Sequence, residues 1–370
     1  MNYTLLDITK YFLKLGTTGF GGPVALVGYM HRDLVENKKW ISEEEYKEGL
    51  ALSQLAPGPL AAQLSIYLGY VHHGILGATI TGVAFVLPSF LMVLGLGWLY
   101  SLYGGLAWMQ KVFYGVSAGV ISIITISAYK LTQKSITSAK DYLLWGIFGI
   151  SALATFITET ESVFLFLGAG IVYWLSKFPP TISSKDKTLS LSPLLLSTQL
   201  WKIAVFFTKA GAFVFGSGLA IVPFLYAGVV QEYAWLNEKA FLDAVAVAMI
   251  TPGPVVITVG FIGYLVEGFS GAAVAALATF LPCYLFTILP APYFKKYGKN
   301  PAIKAFIDGV TAASIGAIVG AVILLSKRTL IDAESILLAL IGIVVLWKYK
   351  KIQEPIWILA AALLGLLINL

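Results

Sequence analysis

Leu55-Ala56-Pro57-Gly58-Pro59-Leu60 and Ile250-Thr251-Pro252-Gly253-Pro254-Val255 each set a Pro-Gly-Pro tripeptide inside an apolar, helix-length segment. The two copies are 252 − 57 = 195 residues apart, and Trp40 with Trp235, Lys14 with Lys209 and Phe20-Gly21 with Phe215-Gly216 share that offset. One deletion later it becomes 282 − 88 = 194 for Pro88 and Pro282, and carries Gly69-Tyr70 onto Gly263-Tyr264. The chain is an internal duplication with a helix breaker at the same place in each half. Paired, interrupted hydrophobic segments in a membrane protein point to a transporter's substrate site.

Hydrophobic residues make up 58% of the chain and charged ones 12%, against roughly 25% charged in soluble domains. Apolar stretches of about 17–25 residues, enough to cross a hydrocarbon core, recur from end to end. The composition is that of an all-α, multi-pass membrane protein, expected in the cell (plasma) membrane with the lipid bilayer as its surroundings. Asp7, Lys10 and Lys14 interrupt what would be the apolar region of a signal peptide, so the membrane segments themselves are expected to direct insertion. A net charge of +6 would hint at nucleic acid in a soluble protein. Here the basic residues sit between apolar segments, where they set topology, and no nucleic-acid partner is expected. Cys283 is the only cysteine, and His31, His72 and His73 are scattered, so neither a disulfide nor a metal cluster is indicated.

The pattern predicts helices near 5–30, 46–71 (broken at 57–59), 74–100, 105–129, 141–158 and 161–177. The second half repeats them near 200–230, 240–265 (broken at 252–254), 269–290, 303–326, 333–349 and 354–370. Residues 1–177 form one membrane repeat and 198–370 the other. Segment 178–197, with Pro179-Pro180, Lys185, Lys187 and Pro193, reads as a linker. Ser42 followed by Glu45 makes a capping box; Asn237 takes the equivalent cap position without a Glu partner, since Ala240 stands there.

Loop charges orient the halves. Arg32, Lys38, Lys39 and Lys47 crowd the 31–48 loop of half one, whereas 231–243 holds only Lys239. Conversely 101–110 has no lysine or arginine and its counterpart, 291–304, has Lys295, Lys296, Lys299 and Lys304. Basic loops face the cytoplasm, so the repeats are inverted, with Lys327 and Arg328 as dissenters placed outside. Inversion needs an odd number of crossings per half, yet each half has six segments. Two half-helices of about ten residues reach only about 15 Å, half the core. The Pro-Gly-Pro segments are therefore expected to be re-entrant hairpins, leaving about ten crossings.

Proline lacks an N–H and restricts its predecessor, so Pro-Gly-Pro ends one helix and starts another. Unpaired backbone inside a bilayer is tolerated only where protein or a watery cavity covers it. Half-helices starting at Pro59 and Pro254 would present free N–H groups and positive dipole ends, which attract anions. Two of them facing each other suit a compact divalent oxyanion; the alternative is a pair of kinks that only shapes packing. Gly19-Phe20-Gly21-Gly22-Pro23 forms a second break, answered by Phe215-Gly216-Ser217-Gly218; close helix packing explains it as well as binding does. Lys14 and Lys209 lie one to two turns before these glycines, as cations to hold an anion or as snorkelling side chains. Gln54, Gln63 and Ser65 flank the first Pro-Gly-Pro, and Thr251 and Thr258 the second, as neutral donors or as ordinary interhelical bonds. Glu48 and Asp243 match by position; they can take protons for coupling or belong to a solvated face.

No phosphate loop, metal-binding His pair or Gly-x-Ser-x-Gly elbow occurs, so neither an enzyme nor a cofactor is expected. Phe12-Leu13-Lys14-Leu15-Gly16 leading into Phe20-Gly21-Gly22-Pro23, Trp40 before Glu43-Glu44-Glu45-Tyr46, then Gln54-Leu55-Ala56-Pro57-Gly58-Pro59 and Leu87-Pro88 resemble the chromate transporter (CHR) family in its long, two-domain form. The second half departs from that pattern, with Ser217-Gly218 for Gly22-Pro23 and Met249 and Thr251 for Gln54 and Ala56. The resemblance implies efflux of chromate conferring chromate resistance; Lys14, Gly21, Gly22, Pro23, Gln54, the Pro-Gly-Pro turns and their second-half counterparts are the substrate-binding candidates that the residues themselves supply. Sulfate, also a tetrahedral dianion, is the natural mimic, and an anion channel is the alternative to a secondary transporter. A homodimer is the partner expectation that comparable architectures supply by analogy.

Overall fold

Pro-Gly-Pro stops one helix and starts the next at both expected places. A computed structural model describes residues 3–20, 22–103, 107–136, 141–158, 163–178, 199–213, 221–297, 300–349, 352 and 354–368. Gly21, segment 214–220 with Gly216 and Ser217, and the expected linker beyond Phe178 lie outside the described residues.

Repeat one comprises α1 (Leu5–Thr18), α2 (Gly22–Met30) prolonged by a π-helical turn at His31–Asn37, α3 (Glu43–Leu55), α4 (Leu60–Tyr103), α5 (Ala107–Ser135), α6 (Tyr142–Thr158) and α7 (Val163–Lys177). Repeat two answers with α8 (Gln199–Phe213), α9 (Ile221–Tyr226) and its π-helical turn Ala227–Glu232, α10 (Glu238–Ile250), a 3-10 turn Val255–Ile257 leading into α11 (Thr258–Ile288), α12 (Ala291–Tyr297), α13 (Pro301–Thr329), α14 (Ala333–Lys348) and α15 (Glu354–Ile368). The short α12 was expected to be loop.

The duplication extends to individual torsion angles. Among the described residues, Lys39 (φ 52°) and Ala234 (φ 48°) are the two non-glycine residues with positive φ, and they stand at the 195-residue offset. Both expected caps form: Ser42 Oγ accepts from Glu45 N–H (3.2 Å) while Glu45 Oε2 accepts from Ser42 N–H (2.9 Å). Asn237 Oδ1 accepts from Ala240 N–H (2.8 Å). Each cap fixes where the first arm of a Pro-Gly-Pro hairpin begins.

Two successive reversals follow each cap. α3 and residues 60–73 fold back on each other about Gly58: a Cβ on Gly49 would lie 2.3 Å from the Tyr67 ring, and Tyr67 O–H donates to Glu48 Oε2 (3.2 Å). The chain turns again at Gly74 (φ 59°, ψ −151°). There a Cβ on Gly69 would sit 2.5 Å from the Gly77 carbonyl oxygen, and Thr81 Oγ1 donates to Ser65 O (2.9 Å). Gly268 (φ 61°, ψ −148°) makes the same reversal in α11, where Gly263 packs on the Gly271 carbonyl. The 44 residues of α4 are thus two antiparallel helices, not one rod of about 66 Å.

The arm of α4 that follows Gly74 touches α11 on both sides of its reversal. Residue 97, late in α4, packs on Tyr264, just before the α11 reversal, whereas Thr79, early in the α4 arm, hydrogen-bonds Tyr284 near the end of α11 (2.7 Å). The remaining helices are exchanged: α13 packs against α6 and α7, and α5 against α14 and α15. Small residues make this possible, with a Cβ on Gly115 reaching 2.0 Å from the Ala361 carbonyl oxygen and one on Gly309 2.6 Å from that of Ala169.

Among the described residues, four helical stretches are long and apolar enough to cross a membrane: Leu60–Tyr103, Trp108–Lys130, Val255–Phe294 and Pro301–Thr329. The first and third contain the glycine reversals. Exposed faces are apolar too, with Ile150, Leu153 and Ile157 on α6 and Leu337, Leu340 and Val344 on α14, a pattern for a hydrocarbon solvent and the reverse of a soluble helix.

Candidate functional site

The first helix ends at Thr18 because Gly19 leaves the helical region (φ −81°, ψ 101°), and the chain restarts as α2. Between α1, α2 with its π-helical turn, and residues 38–40 lies a cavity of about 800 Å³ lined by Lys10, Lys14, Arg32 and Lys38 with Asp7 and Asp33, and by Tyr11, Thr18, Gly19 and Trp40. Arg32 Nε is committed to Asp33 (2.8 Å), and Lys38 lies 4.4 Å from the Trp40 ring centre. Lys10 and Lys14 form no ion pair among the described residues. The cavity is therefore cationic, with two lysines available to an anion.

Gly19 belongs both to this cavity and to the second repeat's Pro-Gly-Pro turn. Its carbonyl accepts the Gly253 N–H (2.9 Å), and Ser89 Oγ, which donates to Gly16 O (3.3 Å), lies where a Cβ on Gly253 would be, at 1.9 Å. The first turn is seated in the same manner: a Cβ on Gly58 would lie 3.2 Å from the Cys283 sulfur, and Cys283 is the 194-offset equivalent of Ser89. Each Pro-Gly-Pro turn thus rests on the α4 or α11 arm of the opposite repeat. Positive φ at Gly58 (140°) and Gly253 (92°) confines both positions to glycine.

The other expected residues divide. Pro59, Pro252 and Pro254 are buried and Pro57 half-buried; Pro23 is half-buried near the start of α2, which begins at Gly22. Gln63 is fully buried and donates through Nε2 to Pro57 O (2.8 Å), closing its own turn, while its Oε1 has no partner. Thr251 and Thr258 are buried but already donate to Ala248 O (3.0 Å) and Val255 O (2.7 Å). Gln54 and Lys209 are exposed and stand apart from the cavity. A solvated face fits neither carboxylate equally: Glu48 is half-buried, but Asp243 is 1% exposed. The correction at Asp243 has a cause, since α5, α11 and α15 pack on α10 where the equivalent α3 is open. Among the described residues no group of metal ligands occurs.

Sequence reasoning missed Lys10, Arg32 and Lys38 as cavity residues, having assigned the loop cations to topology, and missed Ser89 and Cys283 as seats of the turns. The 194 offset that pairs Ser89 with Cys283 was the available signal.

The profile of the chromate transporter family matches residues 6–174 and 201–366, one match in each repeat. A relative from Cupriavidus metallidurans, "Chromate transport protein", is 65% identical over 98% of this chain and 93% of its own. "Probable chromate transport protein" from Synechococcus elongatus is 60% identical over 99% and 96%, and "Chromate transport protein" from Pseudomonas aeruginosa is 30% identical over 96% and 91%. No solved structure matches the chain. Two profile matches that together span nearly the whole chain, and relatives up to 65% identical, establish that the chain belongs to the chromate transporter family.

Proposed function

We propose that the protein is a secondary transporter that exports chromate across the plasma membrane by alternating access about its two Pro-Gly-Pro turns. Relatives named for chromate transport, alignable over nearly their whole length, support the substrate. The observation that carries the mechanism is the double role of Gly19, which lines the lysine-rich cavity and holds Gly253 of the opposite repeat. An anion drawn in by Lys10 and Lys14 stands beside the backbone that joins the two repeats, so anion binding and repeat movement act on one set of atoms. Lys14, the glycine breaks with their undescribed members Gly21, Gly216 and Ser217, and the two Pro-Gly-Pro turns form the substrate path; Lys209 serves the equivalent path in repeat two.

In this reading α3 with 60–73, and α10 with 255–266, are re-entrant hairpins. Their arms of 13 residues span about 20 Å, short of the roughly 30 Å core. The other segments make about ten crossings, with residues 1–177 and 198–370 as inverted repeats around the linker.

Chromate uptake into everted, energised vesicles tests the proposal, with sulfate as competitor. Accumulation of chromate in wild type and its loss in Lys14→Gln and Pro57→Ala proteins that still insert is the expected result. Accumulation of sulfate with chromate excluded overturns the substrate. Unchanged uptake in both variants overturns the site, and flux far above about a thousand ions per second overturns alternating access in favour of a channel.

A further inference from the structure

Asp243 is buried to 1% exposure on α10, and its surroundings are asymmetric in a way the duplication does not require. Tyr100, from the second arm of α4 in repeat one, donates its O–H to Oδ2 (2.7 Å), while Oδ1 has no hydrogen-bond partner. In repeat one the equivalent carboxylate, Glu48, accepts from Tyr67 on its own hairpin. The counterpart of Tyr67 is Phe261, which cannot donate; its ring instead packs against Tyr100 (5.6 Å), as does that of Phe113 (5.5 Å). Repeat two has thus lost its internal donor and takes one from across the repeat boundary. Lys239, one turn earlier on α10, is a charged group acting on Asp243.

A carboxylate with one donor and one bare oxygen, sealed in hydrocarbon, carries a desolvation cost that its neutral acid escapes. We infer that Asp243 binds and releases one proton in each transport cycle, and that the Tyr100–Asp243 hydrogen bond, formed across the repeats, couples that event to their relative movement. The proton comes from water when the site is open to one side and leaves to the other; no bond but the carboxyl O–H is made or broken. Tyr100 is a positioning residue. The inference rests on the alternating-access reading above and goes beyond it in making one carboxyl of the matched pair the coupling group.

The test uses full-length protein in proteoliposomes, with two readouts: chromate–chromate exchange without a gradient, and chromate accumulation driven by an imposed pH difference. Asp243→Asn keeps size and Tyr100's acceptor but cannot titrate. It is expected to retain exchange within about threefold and to lose pH-driven accumulation at least tenfold, while Glu48→Gln keeps both. Tyr100→Phe is expected to shift the pH profile of exchange, read as a ratio to wild type at each pH so that titration of the anion cancels. Asp243→Asn that accumulates like wild type overturns the inference, as does loss of exchange together with accumulation in a protein that elutes as folded. If Asp243→Asn does not fold, an unshifted profile in Tyr100→Phe overturns it. Wild type that exchanges chromate without responding to the pH difference also overturns it and leaves the transporter reading standing; wild type without exchange overturns the transporter reading itself.

Discussion

Glu43 and Glu238 open equivalent helices and are held by different chemistry. In repeat one Glu43 Oε2 meets His31 Nε2 at 2.8 Å, and His31 Nδ1 meets Glu36 at 3.1 Å. In repeat two the residue equivalent to His31 is Tyr226, whose O–H donates to Glu238 Oε1 at 2.7 Å beside Arg328 Nη1 at the same distance. One hairpin mouth is closed by an imidazole between two carboxylates, the other by a guanidinium that also bonds the Tyr226 hydroxyl.

Arg328→Gln should therefore destabilise the protein more than His31→Gln does. Both pairs are partly exposed, so the expected loss for Arg328→Gln is about 1 kcal/mol, below the usual value for a charge-assisted bond. Thermal unfolding midpoints in detergent check the order; equal midpoints would contradict it.

Gly253→Ala should abolish transport and lower stability by about 1–3 kcal/mol, from a side chain forced to positive φ and a 1.9 Å approach to Ser89 Oγ. Ser89→Ala removes that oxygen, so the double variant should recover part of the stability while the torsional part of the loss remains. A double variant no better than Gly253→Ala alone would show that the seat on Ser89 is not what constrains the turn.

Gly16→Ala and Gly211→Ala should behave alike. Their Cβ atoms would come within 2.2 Å of the Phe85 carbonyl oxygen and 2.1 Å of the Thr279 one, backbone atoms that can yield only by separating helices. The expected cost is about 1–3 kcal/mol each. Gly95, with open space around its Cβ position, is the control: Gly95→Ala should be neutral or slightly stabilising. Expression and melting of the three proteins decide it.

Lys14→Gln should raise the KM for chromate at least tenfold, because it removes one of two cavity cations without a partner, and Lys14→Arg should restore most of it. Lys209→Gln should do less under inward-facing conditions. Concentration-dependent uptake in everted vesicles measures both.

The duplication and the two Pro-Gly-Pro breaks were legible because each leaves a covalent mark: residues repeated at one offset, proline without an N–H, glycine at positive φ. Arg328 dissented from the loop-charge pattern because composition cannot reveal that its charge is spent on Glu238 and Tyr226. The burial of Asp243 was hidden for a similar reason. The run Ala244–Ile250 that follows it is apolar where the equivalent Gly49–Leu55 carries Ser53 and Gln54, but only the packing of α5, α11 and α15 against α10 fixes the burial. The cavity was half legible: Lys14 was found through its partner Lys209, but Lys10 and Arg32 have no duplicated mark.

The exchange of helices has a consequence for biogenesis. Gly115 on α5 meets Gly365 on α15, so helices made early by the ribosome wait for partners made last, and loop closure over such separations is slow. Neither repeat holds a complete helix bundle of its own. A chain severed between Phe178 and Gln199 should accordingly yield two fragments that are degraded when made singly and accumulate together when co-expressed, each acting as the other's folding template.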